Sequence, residues 1–170
     1  ELIETMGLDP RGALYKQVGQ LDTNAGGEKK SRKWESSADY TAFKAGIRSS
    51  ATLAAKSLYT FDNINLPATI NYLAVTRLAQ EGDDVWANMS VYRDSDGDGL
   101  WRIIPFDMNL SWGQLYYGDD TSINGSIQAT NDNNKSHPLY GGATVTPKGV
   151  WNGLWNRIYD VVVQSPQLRE

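Results

Sequence analysis

The sequence predicts an α+β fold, and three features carry that reading. Leu66 to Gln80 reads as a helix, with proline confined to its first turn at Pro67 and apolar side chains over much of its circumference. Trp151 to Val163 repeats Leu154, Trp155, Ile158, Tyr159 and Val162 at helical spacing. Between them lie two strand-like runs, Met89 to Tyr92 and Leu100 to Ile104, separated by the turn formers Asp94-Ser95-Asp96-Gly97-Asp98-Gly99.

A chain of 170 residues, 40% hydrophobic and 21% charged, has material for one buried core and lacks the composition of a disordered segment. The net charge of −4 gives no support to a nucleic-acid surface. The basic cluster Lys29, Lys30, Arg32 and Lys33 stands beside Gly26 and Gly27 and reads as a solvated loop. Absence of cysteine excludes disulfides and thiolate metal sites while leaving the compartment open. No apolar run approaches membrane-spanning length. The six Trp and nine Tyr can supply buried area or sugar-stacking platforms, which keeps a carbohydrate-binding module as a rival reading.

Taken in order, Ala13-Leu14-Tyr15 reads as a short strand and residues 17 to 37, polar and glycine-containing, as a long loop. Ala38 to Ile47 reads as a helix, with Ser37 available as N-cap and Tyr40, Phe43 and Ile47 on one face. In the Leu66 helix, Asn65 is the cap, and Leu66, Ile70, Leu73, Ala74 and Arg77 are expected to line one face. A helix this apolar is expected to be buried, and Gly82 stands where a helix commonly ends. Residues 118 to 149, dominated by Gly, Asn, Asp, Ser and Thr, read as a surface insertion. Pro166-Gln167-Leu168-Arg169 looks like the first turn of a helix, so the chain is expected to be a single partial domain, 1–170, cut at both ends from a longer polypeptide.

The hairpin gathers the residues that could carry chemistry. With Arg93 opposite Leu100, the register puts Val91 against Arg102 and Met89 against Ile104. Asn88 then lies near Pro105 and Trp86 near Asp107, with Asp83 on the entering loop. Phosphoryl transfer needs a group that orients or deprotonates the attacking hydroxyl, and oxygen ligands for magnesium. Asp83 and Asn88 have the D-x-x-x-x-N spacing of a kinase catalytic loop, and Asp107 stands where the later metal ligand falls. Spacing alone leaves the bland readings open: a post-helix turn residue for Asp83, a backbone-bonding amide for Asn88, a strand-end cap for Asp107. The order of elements, apolar helix then hairpin, favours the functional reading.

The segments Asn71-Tyr72-Leu73-Ala74-Val75, Asp83 to Asn88 and Val91-Tyr92-Arg93-Asp94 resemble the CotH kinases, a family first known from bacterial spore coats. So does Trp101-Arg102-Ile103-Ile104-Pro105-Phe106-Asp107-Met108-Asn109-Leu110-Ser111-Trp112-Gly113, and similar stretches run from Gly7-Leu8-Asp9 to Leu168-Arg169-Glu170. The resemblance implies a protein-kinase-like fold, mostly the helical C-lobe, with the hairpin carrying the metal site and the N-lobe largely missing. It implies ATP and Mg2+ or Mn2+ as cofactors, a serine acceptor in a protein partner, and a bacterial extracellular, cell-surface or spore-coat setting. Asp83 would be the catalytic-loop Asp, with Asp84 adjacent as the alternative, and Asn88 and Asp107 the metal ligands.

Two departures from the family pattern stand out. Asn109 occupies the place of a second Asp, and the lysine that pairs the ATP phosphates is expected outside this chain, with Lys16 structural or peripheral. The isolated fragment is therefore expected to be inactive. A non-catalytic cell-surface or carbohydrate- or protein-binding module is the alternative function. Asp94, Asp96, Asp98 and Gly99 match the start of a calcium loop, but Pro105 replaces the expected bidentate Glu, so an acidic turn is the preferred reading. The single His, His137, has no identifiable catalytic partner.

Overall fold

The computed structural model describes residues 2–17, 26–79, 89–108, 111 and 157–169. Its frame is a four-stranded antiparallel sheet in the order β2-β1-β3-β4, built from β1 (Ala13–Gln17), β2 (Gly27–Lys29), β3 (Met89–Arg93) and β4 (Trp101–Pro105). The helices are α1 (Leu2–Thr5), α2 (Ala38–Gly46), α3 (Leu53–Asn63), α4 (Leu66–Leu78), α5 (Arg157–Gln164) and α6 (Pro166–Arg169). The mixed α+β class expected from the sequence holds. Among the described residues, no helix is long and apolar enough to cross a membrane. The expected 118–149 insertion lies outside the described residues.

Alternation along the strands gives the sheet two working faces. Ala13, Tyr15, Met89, Val91, Trp101 and Ile103 point into the larger core, where Tyr40, Phe43 and Ile47 of the α2 region, Tyr72 and Leu73 of α4 and Ile158 of α5 meet them. Tyr92 and Ile104 face a smaller cluster with Ile3, and Leu8 and Leu14 pack against it. The Tyr92 hydroxyl donates to the Asp9 carbonyl at 2.9 Å, tying the segment after α1 across this second face. Central β3 is therefore buried on both sides.

The hairpin forms where expected, but its register differs by one residue. Met89 pairs with Pro105, Val91 with Ile103 and Arg93 with Trp101. The turn sets this offset. Asp94 N–H donates to the Leu100 carbonyl, Gly99 N–H donates to the Asp94 carbonyl at 2.9 Å, and Gly99 takes φ 72°, a conformation glycine adopts without steric cost. The offset also matches apolar to apolar, since the expected pairing would set Val91 against the charged Arg102.

β2 falls inside the stretch read as loop. Its Gly-Glu-Lys has no apolar alternation, and its pairing is dictated by the open edge of β1. Gly27 lies against the Tyr40 ring, where any Cβ would collide. The α2 helix agrees with expectation, and Tyr40, Phe43 and Ile47 are buried, although Ser37 makes no side-chain cap bond.

α3 has no counterpart in the sequence reading. Thr52 caps it by accepting from Ala55 N–H at 3.2 Å, yet it buries Lys56 and Thr60 and leaves Leu58 and Phe61 exposed. α4 begins as expected, with the Asn65 side chain accepting from Ala68 N–H at 3.0 Å. Its inner face is corrected in part: Leu73 is buried as expected and Thr69, Tyr72 and Thr76 are buried with it, while Ile70 is 44% exposed and Ala74 is exposed; Val75 and Leu78, 63% and 75% exposed, correct the expectation that the helix is buried all round. Threonine can serve on an inner face because its hydroxyl bonds back to the helix, as Thr76 does to the Leu73 carbonyl at 3.2 Å. In the C-terminal region, Ile158 and Val161 of α5 and Leu168 of α6 are buried, and residues 151–156 of the expected helix lie outside the described residues.

Candidate active site

Strand β4 delivers Asp107. Pro105 has no N–H to continue a ladder, so regular pairing stops there. Phe106 and Asp107 follow on exposed backbone, and Asp107 takes φ 54°. Asp is among the few residues that tolerate the left-handed region, and such conformations concentrate at functional sites. The chain thus leaves the sheet abruptly at the carboxylate that the sequence singles out.

Asp83 and Asn88 lie outside the described residues. Pro105, which the expected register set near Asn88, pairs with Met89. Among the described residues, no group of three or more His, Cys, Asp or Glu side chains could hold a metal ion. Asp107 is the described member of the expected set. The set as a whole, two carboxylates and a carboxamide, offers the hard oxygen donors that Mg2+ or Mn2+ takes.

A neighbour that spacing did not reveal is Lys16. It is paired with Ser90 across the β1–β3 ladder, and its Nζ lies 4.2 Å from the centre of the Phe106 ring, beside Asp107. A cation over an aromatic face is held electrostatically. The β1–β3 pairing that creates this contact joins segments far apart in sequence, so nothing local could have announced it.

At the other end of the hairpin the acidic residues are already engaged. Asp98 binds Arg102 at 2.6 Å and accepts from Leu100 N–H at 2.8 Å, and Asp96 meets Arg32 at 3.1 Å. The Arg102 guanidinium holds the Asp98 carboxyl below the usual carboxylate range. This is a braced turn, as preferred over a calcium loop. The basic cluster is likewise internal in its bonding. Lys29 donates to the Ser36 carbonyl at 2.8 Å, Lys30 pairs with Glu28 and Arg32 with Glu35.

Next to Asp107, Met108 and Ser111 form part of the wall of a cavity of about 590 Å³ between β4 and α4. Within the larger core, Tyr15 donates to Asp39 at 2.6 Å and stacks on Tyr40, with ring centres 4.5 Å apart. Burial, reinforced by the Asp39 carboxylate, pushes the Tyr15 hydroxyl well above its ordinary pKa, so it stays a donor within the core.

A family model described as CotH kinase protein matches residues 2–170. The chain belongs to the CotH kinase family. The match runs from α1 to α6, so the hairpin, the turn and Asp107 all lie within it. No curated protein matches the chain in sequence.

Proposed function

We propose that this chain is the catalytic-loop portion of an ATP- and metal-dependent protein serine kinase of the CotH type, acting on surface or coat proteins outside the bacterial cell. In this reading the helices and the hairpin correspond to a kinase C-lobe, with the N-lobe supplied elsewhere. The observation that carries it is Asp107 at the break after β4, in a chain that the CotH kinase family matches throughout.

Asp83 takes the proton of the acceptor hydroxyl as serine Oγ bonds to the γ-phosphorus and the bond to the ADP oxygen breaks. Asn88 and Asp107 would hold a divalent cation through their side-chain oxygens, and that cation would offset the charge of the nucleotide phosphates. Asn109 in place of an acidic residue leaves the site with less negative charge than the family pattern provides.

The test is phosphotransfer by the full-length parent with ATP and Mg2+ or Mn2+. Activity should be present and should fall sharply in both Asp83→Asn and Asp107→Ala. Equal activity in the parent and both variants would sink the assignment. A parent with no nucleotide or metal affinity that still binds a glycan or protein partner would point to the non-catalytic module.

A further inference from the structure

The cavity beside Asp107 has a wall that few apolar pockets have, the outer edge of a sheet. At the head of the β3–β4 ladder, Asp94 N–H donates to the Leu100 carbonyl, so alternation makes Tyr92–Arg102 and Ser90–Ile104 the bonded pairs. Trp101, Ile103 and Pro105 therefore turn their backbone polar groups outward, away from β3. The first of these positions is filled by the chain itself. Ile64 bridges Trp101, and Asn65 N–H donates to the Trp101 carbonyl at 2.8 Å. At Leu66 the chain then winds into α4 and leaves the edge. Beyond that point Ile103 N–H and C=O and the Pro105 C=O face the cavity, and among the described residues they have no partner.

The rest of the lining defines what fits. Met6, Leu8, Tyr72, Val75 and Met108 present apolar surface. Among the described lining residues Arg102 carries charge, and Asp98 pairs with it at 2.6 Å. With that charge compensated, the described wall favours a neutral occupant. A free donor and acceptor spaced along a strand edge require a ligand with the same groups in the same spacing, which is an extended polypeptide. At about 590 Å³ the space lies within the range of ligand sites.

We propose that the β4 edge and α4 form a groove that takes an extended, uncharged, apolar-rich segment of the acceptor protein by strand addition, next to Asp107. Main-chain bonds to Ile103 and Pro105 supply the docking, and side chains of the added strand enter the cavity. Pro105 limits the edge, since it offers an acceptor but no donor. Calling the segment part of the acceptor rests on the kinase reading above, whereas the groove and its binding do not.

The probe is a short, capped, fluorescein-labelled peptide of alternating valine and threonine around one serine, titrated against the full chain without ATP or metal. A second peptide carries N-methyl groups on alternate residues, which removes the ladder donors and keeps the side chains. Saturable binding should fall about tenfold or more with N-methylation and with Val75→Trp, which fills the groove from an exposed position. No saturable binding, or equal binding of the N-methylated peptide, overturns strand addition; the second result would make the cavity a site for apolar molecules instead. A dimer in sedimentation that Val75→Trp dissociates would assign the groove to a second copy and overturn the proposal. Loss of phosphotransfer in the parent with peptide binding intact removes the kinase reading alone.

Discussion

The two ends of the β3–β4 hairpin carry similar acidic side chains in different backbone settings. At the turn, Asp96 and Asp98 are neutralised by Arg32 and Arg102, and Gly99 supplies the one left-handed residue the turn needs. At the open end, Pro105 stops the ladder and an Asp, not a Gly, takes the left-handed conformation. The difference separates a turn closed by ion pairs and glycine from a strand end closed by proline, which under the proposed function is where a metal ligand stands. The turn places glycine at its left-handed position, and the strand end places Asp107 there, at a backbone cost glycine would not have.

Under the proposed kinase function, the largest effect expected from this contrast is on phosphotransfer. Asp107→Asn keeps a residue that accepts the left-handed backbone but removes the carboxylate charge, so folding should be retained while the rate falls on the order of 10³-fold or more. Asp98→Asn, at the other end of the same hairpin, should leave the rate within about twofold, because it keeps an oxygen for Leu100 N–H and loses only an exposed ion pair. Rates measured side by side with thermal unfolding check both. Equal losses from the two substitutions would erase the distinction between the ends.

The same contrast shows what the sequence made legible. Helices α2 and α4, their boundaries and the Asn65 cap follow from local patterns, and so does the hairpin, because each is written in neighbouring residues. The register was misjudged because the turn was taken to close at Arg93 and Leu100 instead of Asp94 and Leu100, a choice set by the Gly99 conformation. α3 escaped notice because its buried residues are Lys56 and Thr60, polar types whose spacing carries no hydrophobic signal. The inner face of α4 escaped for the same reason, with Thr69 and Thr76 turned inward and Val75 and Leu78 outward. The place of Asp107 just past a strand was legible in the sequence. The approach of Lys16 to Phe106 was not, since it depends on a long-range strand pairing.

A smaller effect should come from Gly99→Ala. With φ 72° at this position an L side chain is strained, and stability should drop by about 1–2 kcal/mol in urea unfolding. Open space around the missing Cβ, whose nearest neighbour is an Arg93 guanidinium nitrogen at 3.9 Å, makes backbone strain the only source of that loss. Gly99→Asn should recover part of it, because asparagine visits the left-handed region more readily. Identical losses for Ala and Asn would mean that the turn does not depend on this conformation and that the register has another origin.

The smallest effect, and the one that tests the turn as a purely structural device, is the pH dependence of Asp98. Its carboxyl is held below the ordinary range chiefly by the hydrogen bond from Arg102, with Leu100 N–H adding to it. A carboxyl whose folded-state pKa is depressed stabilises the fold above its unfolded value, about 3.9, and that contribution disappears as pH falls through the folded value. Asn at this position keeps an oxygen for Leu100 N–H but has no charge to lose. The parent should therefore exceed Asp98→Asn in stability by up to about 1 kcal/mol at neutral pH, the discounted worth of a solvent-exposed pair. The gap should close as pH drops below about 4 and should shrink in high salt at neutral pH. A gap that persists at low pH would show that Arg102 gains nothing from the charge, and that shape and hydrogen bonding alone close this end of the hairpin.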